Sequence, residues 1–171
     1  MSEDEIDEIE KKTGKWKKNL KKDYIETFNI PKPSESEIDE FESIYGALPM
    51  EYRKFLLEFN GGVPVPNNII VKDNELVINF FLPIKSPNNY PENLYRYCNN
   101  YAERIPRDMI PIASSGGGDL ILTQLGCENN GSIYYWYHDL ECDSNAFNYF
   151  ENVDKIAASF NELLLALREI E

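Results

Sequence analysis

The chain has one histidine and three cysteines among 171 residues. A lone histidine leaves little material for imidazole catalysis or a histidine-rich metal site. Cys98, Cys127 and Cys142 are odd in number and form no Cys-x-x-Cys pair. That argues against a disulfide scaffold and for a reducing, cytoplasmic setting. Long apolar runs are missing, and Met1-Ser2-Glu3-Asp4-Glu5 lacks the basic-then-apolar order of a secretion signal. No membrane partner is therefore expected, and Asn130-Gly131-Ser132 reads as a turn, not a glycosylation acceptor. Basic residues are scarce beyond the N-terminus. Residues 1–22 hold six acids and seven Lys, whereas the remainder holds 24 acids and ten bases within a whole-chain net charge of −13. Binding nucleic-acid phosphates requires clustered Lys and Arg, so nucleic acid is not expected as a partner. An acidic body permits steered association with a basic protein, and the same charge also serves plain solubility.

What is present is a globular composition, 42% hydrophobic and 13% aromatic. Residues 1–15 are expected to be a flexible N-terminal segment, and 16–171 a single domain. Trp16, Leu20 and Tyr24 are spaced as on a short helix over 16–27, with Trp16 docked. Ser34-x-x-Glu37 has the form of a capping box, so a helix is expected over 37–45. Ile38, Phe41, Ile44 and Tyr45 form its apolar stripe. Gly46 ends it, Leu48 plugs the corner, and Pro49 opens a second helix over 50–59 carrying Tyr52, Phe55, Leu56 and Phe59. In Asn60-Gly61-Gly62, Gly61 is expected at the C-cap. From Asn68 the period changes to that of strands: a hairpin over 69–82, then 110–113, 120–124 and 132–137. Pro111 suggests an edge strand or a strand end. A helix is expected over 91–105, a loop over 138–150, and a final helix over 154–168. Helices at both chain ends packed on an antiparallel-type sheet make this α+β.

Several motifs invite chemistry. Gly116-Gly117-Gly118 is followed by Asp119, where a phosphate loop needs Lys, so a structural turn is the better account. Ser115, His138 and Asp139 form a hydrolase triad only by inventory: no Gly-x-Ser-x-Gly elbow exists, and adjacent residues on an extended segment point apart. His138 and Cys142 are half a metal site without the other half. No cofactor is expected, and the cysteines read as packing residues. Tyr134-Tyr135-Trp136-Tyr137 could stack bases, but residues 128–143 contain Glu128, Asp139, Glu141 and Asp143 and no Lys or Arg. By alternation, Ile133, Tyr135 and Tyr137 share one face, and Tyr134 and Trp136 the other. One set is core. The other is either core under a helix or an exposed aromatic face suited to a protein interface.

An ordered series of these residues resembles the SMI1/KNR4 family, the SUKH superfamily. It begins with Trp16 before a helix. Next comes Ile-x-x-Phe-Glu-x-x-x-Gly-x-Leu-Pro-x-x-Tyr-x-x-Phe-Leu from Ile38, closed by Asn60-Gly61-Gly62. Ile110-Pro111-Ile112-Ala113 follows, leading to Gly117-Gly118-Asp119. Then come Gly131-x-Ile133-Tyr134-x-Trp136 with His138-Asp139, and last a helix near Ala157-Ala158-Ser159-Phe160. An acid that many members carry shortly after Gly-Asp is replaced here by Thr123 or Gln124. The resemblance implies a mixed-order antiparallel sheet with helices packed on it, and a protein partner in place of catalysis. Bacterial members look like immunity proteins that neutralise polymorphic toxins, often nucleases; fungal members look like signalling scaffolds. The expectation is an immunity protein occluding a basic toxin, with a regulatory scaffold as the alternative and a hydrolase as the minor one. Asp119, Glu128, Tyr135, Tyr137, Asp139, Glu141 and Asp143 are the expected partner-binding residues.

Overall fold

A computed structural model describes residues 24–85, 92–126, 130–141 and 151–169. Among them are four helices: α1 (Glu35–Tyr45), α2 (Met50–Phe59), α3 (Leu94–Tyr101) and α4 (Phe160–Ala166). A two-stranded sheet pairs β1 (Tyr24–Glu26) with β2 (Val63–Val65). A six-stranded sheet runs β3 (Asn68–Val71), β4 (Asn74–Phe81), β5 (Met109–Ser115), β6 (Leu120–Gln124), β7 (Ile133–Trp136) and β8 (Val153–Ala157). Each strand lies antiparallel beside its predecessor in sequence. The fold is α+β as expected, but the sheet is a meander, not the mixed order that the family resemblance implied. Arg168 N–H bonds the carbonyl of Asn68, closing the end of the chain onto β3.

Local chemistry explains the helices. Ser34 Oγ accepts from Glu37 N–H at 3.2 Å, and Glu37 Oε1 accepts from Ser34 N–H at 3.3 Å, completing the capping box. These bonds hold the Glu37 carboxyl below its ordinary value. Ile38 and Phe41 are buried, but Ile44 points to solvent. Six residues on an α-helix turn Ile44 about 120° away from Ile38, off the buried stripe. The left-handed C-cap of α2 is Asn60, not Gly61. Asn60 donates from Nδ2 to Pro31 O and accepts at Oδ1 from Ile84 N–H, both at 2.9 Å, joining three segments. Gly61 has its positive φ of 83° one residue later, and a Cβ there would lie 2.6 Å from the Phe81 carbonyl.

Three expectations are corrected. Residues 24–26 are a strand, because Tyr24–Glu26 find open backbone partners in Val63–Val65; Trp16 and the rest of the expected helix lie outside the described residues. Residues 153–157 are the last strand of the sheet, and the terminal helix starts only at Phe160, where Ser159 accepts from Glu162 N–H at 3.1 Å. Pro111 sits in an interior strand, but beyond the end of β4, whose last partner is Ala113. Its missing N–H is therefore not required by β4.

Both faces of the sheet are covered. Ile121, Ile133 and Tyr135 enter the main core with α1, α2 and α4. Leu120, Leu122 and Trp136 form a second cluster with Ile105, under Tyr97 and Tyr101 of α3. The aromatic strand is thus core on both faces, and the exposed aromatic face is not formed.

Candidate functional site

Five of the expected partner-binding residues, Asp119, Tyr135, Tyr137, Asp139 and Glu141, lie where the β5–β6 turn meets the exit of β7. Gly116–Gly118 make one 3₁₀ turn, with Gly117 and Gly118 at positive φ. Ser115 N–H bonds Asp119 O at 2.9 Å, which closes the turn and aims the Asp119 carboxylate back at the sheet. Its Oδ2 accepts from Tyr135 Oη and its Oδ1 from His138 N–H, each at 2.8 Å. Tyr135 Oη also lies 2.7 Å from Ser115 Oγ, which donates to Val77 O. Asp119 is therefore a latch between the glycine turn and the segment leaving β7. Tyr135 is 1% exposed, and burial first, then Asp119, pushes its phenol well above the ordinary value.

Tyr137 is half-buried, its ring 4.9 Å from that of Tyr135. Burial and a hydrogen bond from the phenol to Asp154 raise it to about 12. Asp154 in turn pairs with Lys72 at 2.8 Å. Asn152 holds the Tyr137 backbone through two bonds, at 2.9 and 3.0 Å.

The next residues form a second 3₁₀ turn, His138–Leu140. Glu141, at its end, takes both Arg104 Nε and Arg104 Nη2 at 2.8 Å. That pairing holds the Glu141 carboxyl below its ordinary value. The Arg104 guanidinium also lies over Tyr101 at 4.6 Å and Trp136 at 5.5 Å. Asp139 is different: its side chain is 94% exposed. Leu140 beside it is 62% exposed. A Cβ added at Gly116 or Gly117 would meet nothing within 4 Å, so the neighbouring backbone is open to close approach. Glu128 and Asp143 lie outside the described residues.

The five expected residues that are described thus divide by geometry. Asp119, Tyr135 and Glu141 are engaged internally, Tyr137 lies at the margin, and Asp139 projects. Arg104, which anchors Glu141 across 37 residues of sequence, gave no local signal.

For chemistry, the Ser115 hydroxyl is buried and bonded to Val77 and Tyr135, while His138 Nδ1 faces Asp139 at 3.5 Å. A nucleophile needs a base on its own hydroxyl, and these contacts do not supply that arrangement. Cys98 is buried, and desolvation pushes its thiol up to about 12, so it packs as a small apolar group. Cys127 and Cys142, and with Cys142 the half metal site, lie outside the described residues. Among the described residues no group of three His, Cys, Asp or Glu could hold a metal ion. No helix among them is long and apolar enough to cross a membrane.

Comparison with known proteins places these stations in a family. A relative from Bacillus subtilis (strain 168), the SPbeta prophage-derived uncharacterized protein YokK, is 35% identical over 79 residues. That match takes in 46% of this chain and 36% of the relative, so the chain spans only about a third of the length of the curated relative it matches. A solved structure of a protein from Pseudomonas syringae pv. tomato is 21% identical, with a TM-score of 0.42 over 63% of this chain and 70% of that one. The model of the SMI1/KNR4 family (SUKH-1) matches residues 32–166, from the α1 cap through α4, and the chain belongs to that family.

Proposed function

We propose that this chain is a cytoplasmic immunity protein that binds a cognate toxin, a basic nuclease domain, and neutralises it by stoichiometric occlusion. Membership of the SUKH-1 family supports the role, and the net charge of −13 supports a basic partner. The observation that carries the geometry is Asp139. It is 94% exposed on a turn whose neighbours Asp119 and Glu141 are tied to the scaffold. In this reading Asp119, Tyr135 and Glu141 hold the turn in one shape, while Asp139 and Leu140 meet the toxin. Tyr137 forms the rim, and Glu128 and Asp143 are further acidic candidates by sequence. A pre-formed turn loses little conformational freedom on binding, which favours tight association.

The experiment is co-expression with the toxin-type nuclease domains encoded in the source genome, scored by growth. Wild type and His138→Ala should protect equally, because occlusion needs no general base. Asp139→Lys with Leu140→Lys should weaken protection. Failure of wild type to protect would overturn the proposal, and loss of protection in a folded His138→Ala variant would point to chemistry instead.

A further inference from the structure

The elbow between α1 and α2 exposes apolar side chains that the sequence pattern assigns to the core or to a helix start. Met50 is 71% exposed and Ile44 60%. With Leu140 they are the most exposed large hydrophobic residues of the described chain. Scattered exposed apolar residues are ordinary. These two flank a single four-residue turn, Gly46–Pro49, and that turn is held firmly. Glu42 Oε2 accepts from Leu48 N–H at 2.8 Å, and Glu42 Oε1 accepts from Arg53 Nε at 3.0 Å. Gly46 N–H bonds the Glu42 carbonyl at 2.9 Å. From the sheet side, a Cβ added at Gly131 would lie 3.4 Å from Pro49 and one at Gly46 3.5 Å from Leu125, so both neighbours stand close to the turn. A braced elbow with outward apolar side chains is pre-organised for docking.

The surroundings define the partner. α1 carries Glu35, Glu37, Asp39, Glu40 and Glu42 and no base. Across residues 35–59 there are seven acids against Arg53 and Lys54. Arg53 pairs with Glu35, Asp39 and Glu42, and Lys85 with Glu37 at 3.5 Å, and seven acids against two bases still leave the segment net negative. Beside the elbow opens a cleft of about 570 Å³, with Tyr45 and Ala47 on the elbow side and Asn99, Met109 and Leu125 among its other walls. Arg107 and Asp108 also line it, adjacent and opposite in sign. The cleft can take an aliphatic side chain from a partner whose rim cations face α1.

We infer that the α1–α2 elbow is a docking surface for a basic protein, seated on Ile44 and Met50 with its Lys and Arg side chains against the carboxylates of α1. This rests on the reading of the chain as a binder of a basic partner, and it adds a second contact area away from the Asp139 turn.

The test places the photo-crosslinker benzoylphenylalanine at position 44, 50 or 140 in cells making this chain and the toxin-type nuclease domains of the source genome. Joined peptides are sequenced, and the pair is then purified for affinity measurement. Positions 44 and 50 should join a Lys/Arg-rich segment of the toxin domain. Ile44→Arg with Met50→Arg should weaken Kd by about 30-fold or more, the scale of an interface hot spot, with an unchanged melting transition. Crosslinks from position 140 alone overturn the elbow proposal and leave the immunity proposal standing. So does a crosslinked toxin that binds the double variant normally or that presents an acidic segment. Crosslinks from 44 and 50 to a second copy of this chain replace the proposal with self-association. No crosslink from any position overturns both.

Discussion

Asp119 uses both carboxylate oxygens inside the molecule, on Tyr135 Oη and on His138 N–H. Asp119→Ala leaves the buried Tyr135 hydroxyl without its carboxylate and frees the residues after β7. A loss of about 1–3 kcal/mol in unfolding free energy is expected from denaturant titration, the usual cost of an abandoned buried partner. Two glycines offer a second residue-scale comparison. Gly61 and Gly117 both have positive φ, but a Cβ at Gly61 strikes the Phe81 carbonyl at 2.6 Å, whereas one at Gly117 meets nothing. Gly117→Ala should cost about 1–2 kcal/mol, the left-handed penalty alone. Gly61→Ala should cost about 1–3 kcal/mol more, through forced displacement of backbone. Equal denaturation midpoints for the two variants would show that the β4 end yields freely.

At the scale of elements, stop and start signals were legible wherever they are local. Ser34 with Glu37 and the Asn60-Gly61-Gly62 stop lie within a few residues of the bonds they make. The same kind of signal, Ser159 with Glu162, marks where α4 starts. Ile156 has spacing compatible with either a helix or a strand, which masks that start. Ser159→Ala should cost about 1 kcal/mol by thermal or chemical denaturation, because the first turn of α4 loses its cap. What the sequence hid is long-range. Nothing near Glu141 announces Arg104, and nothing near Tyr135 says that both faces of its strand are buried. An acid beside aromatic residues looks the same whether it meets a partner or latches a turn. Hence Asp119, Tyr135 and Glu141, expected to face a partner, are turned inward, and Asp139 projects. Ile44 shares the spacing of the apolar stripe but turns about 120° from Ile38, and Met50, the first residue of α2, lies outside the stripe of Tyr52, Phe55, Leu56 and Phe59.

At the scale of the whole molecule, buried tyrosines set a limit at high pH. The phenols of Tyr52, Tyr97, Tyr135 and Tyr137 are all raised, chiefly by burial, Tyr137 to about 12. Between the unfolded value near 10 and the raised folded value, a phenol ionises in the unfolded chain while the fold keeps it neutral, so ionisation there favours unfolding. The stability a raised phenol contributes is complete below the unfolded value and falls as pH climbs towards 12. Unfolding monitored by tyrosinate absorbance should be steep above about pH 10, with these rings ionising together as the fold opens. Independent titration of all eleven tyrosines near 10 would contradict the burial described above. The acidic body makes a second global expectation. With a basic partner, association should exceed roughly 10⁶ M⁻¹s⁻¹ at low salt and slow markedly as salt rises, with dissociation changing less. Reversing Glu128, Asp139 and Asp143 together should slow association while leaving the Arg104–Glu141 pair intact; stopped-flow mixing at two salt concentrations reads this directly.

The six-stranded sheet has each strand beside the one synthesised just before it. Assembly can therefore proceed as a zipper, one hairpin added to the last, without any strand waiting for a distant mate. Only two links are long: residues 82–108, which carry α3, and residues 137–152. Loop-closure entropy grows slowly with length, so these detours add little to the barrier. A chain emerging from the ribosome could lay down β3 to β7 in order and hold them before α4 exists. The bond from Arg168 to Asn68 then reaches back to the first strand of that sheet and takes up one position on an edge that stands open while the other strands are made.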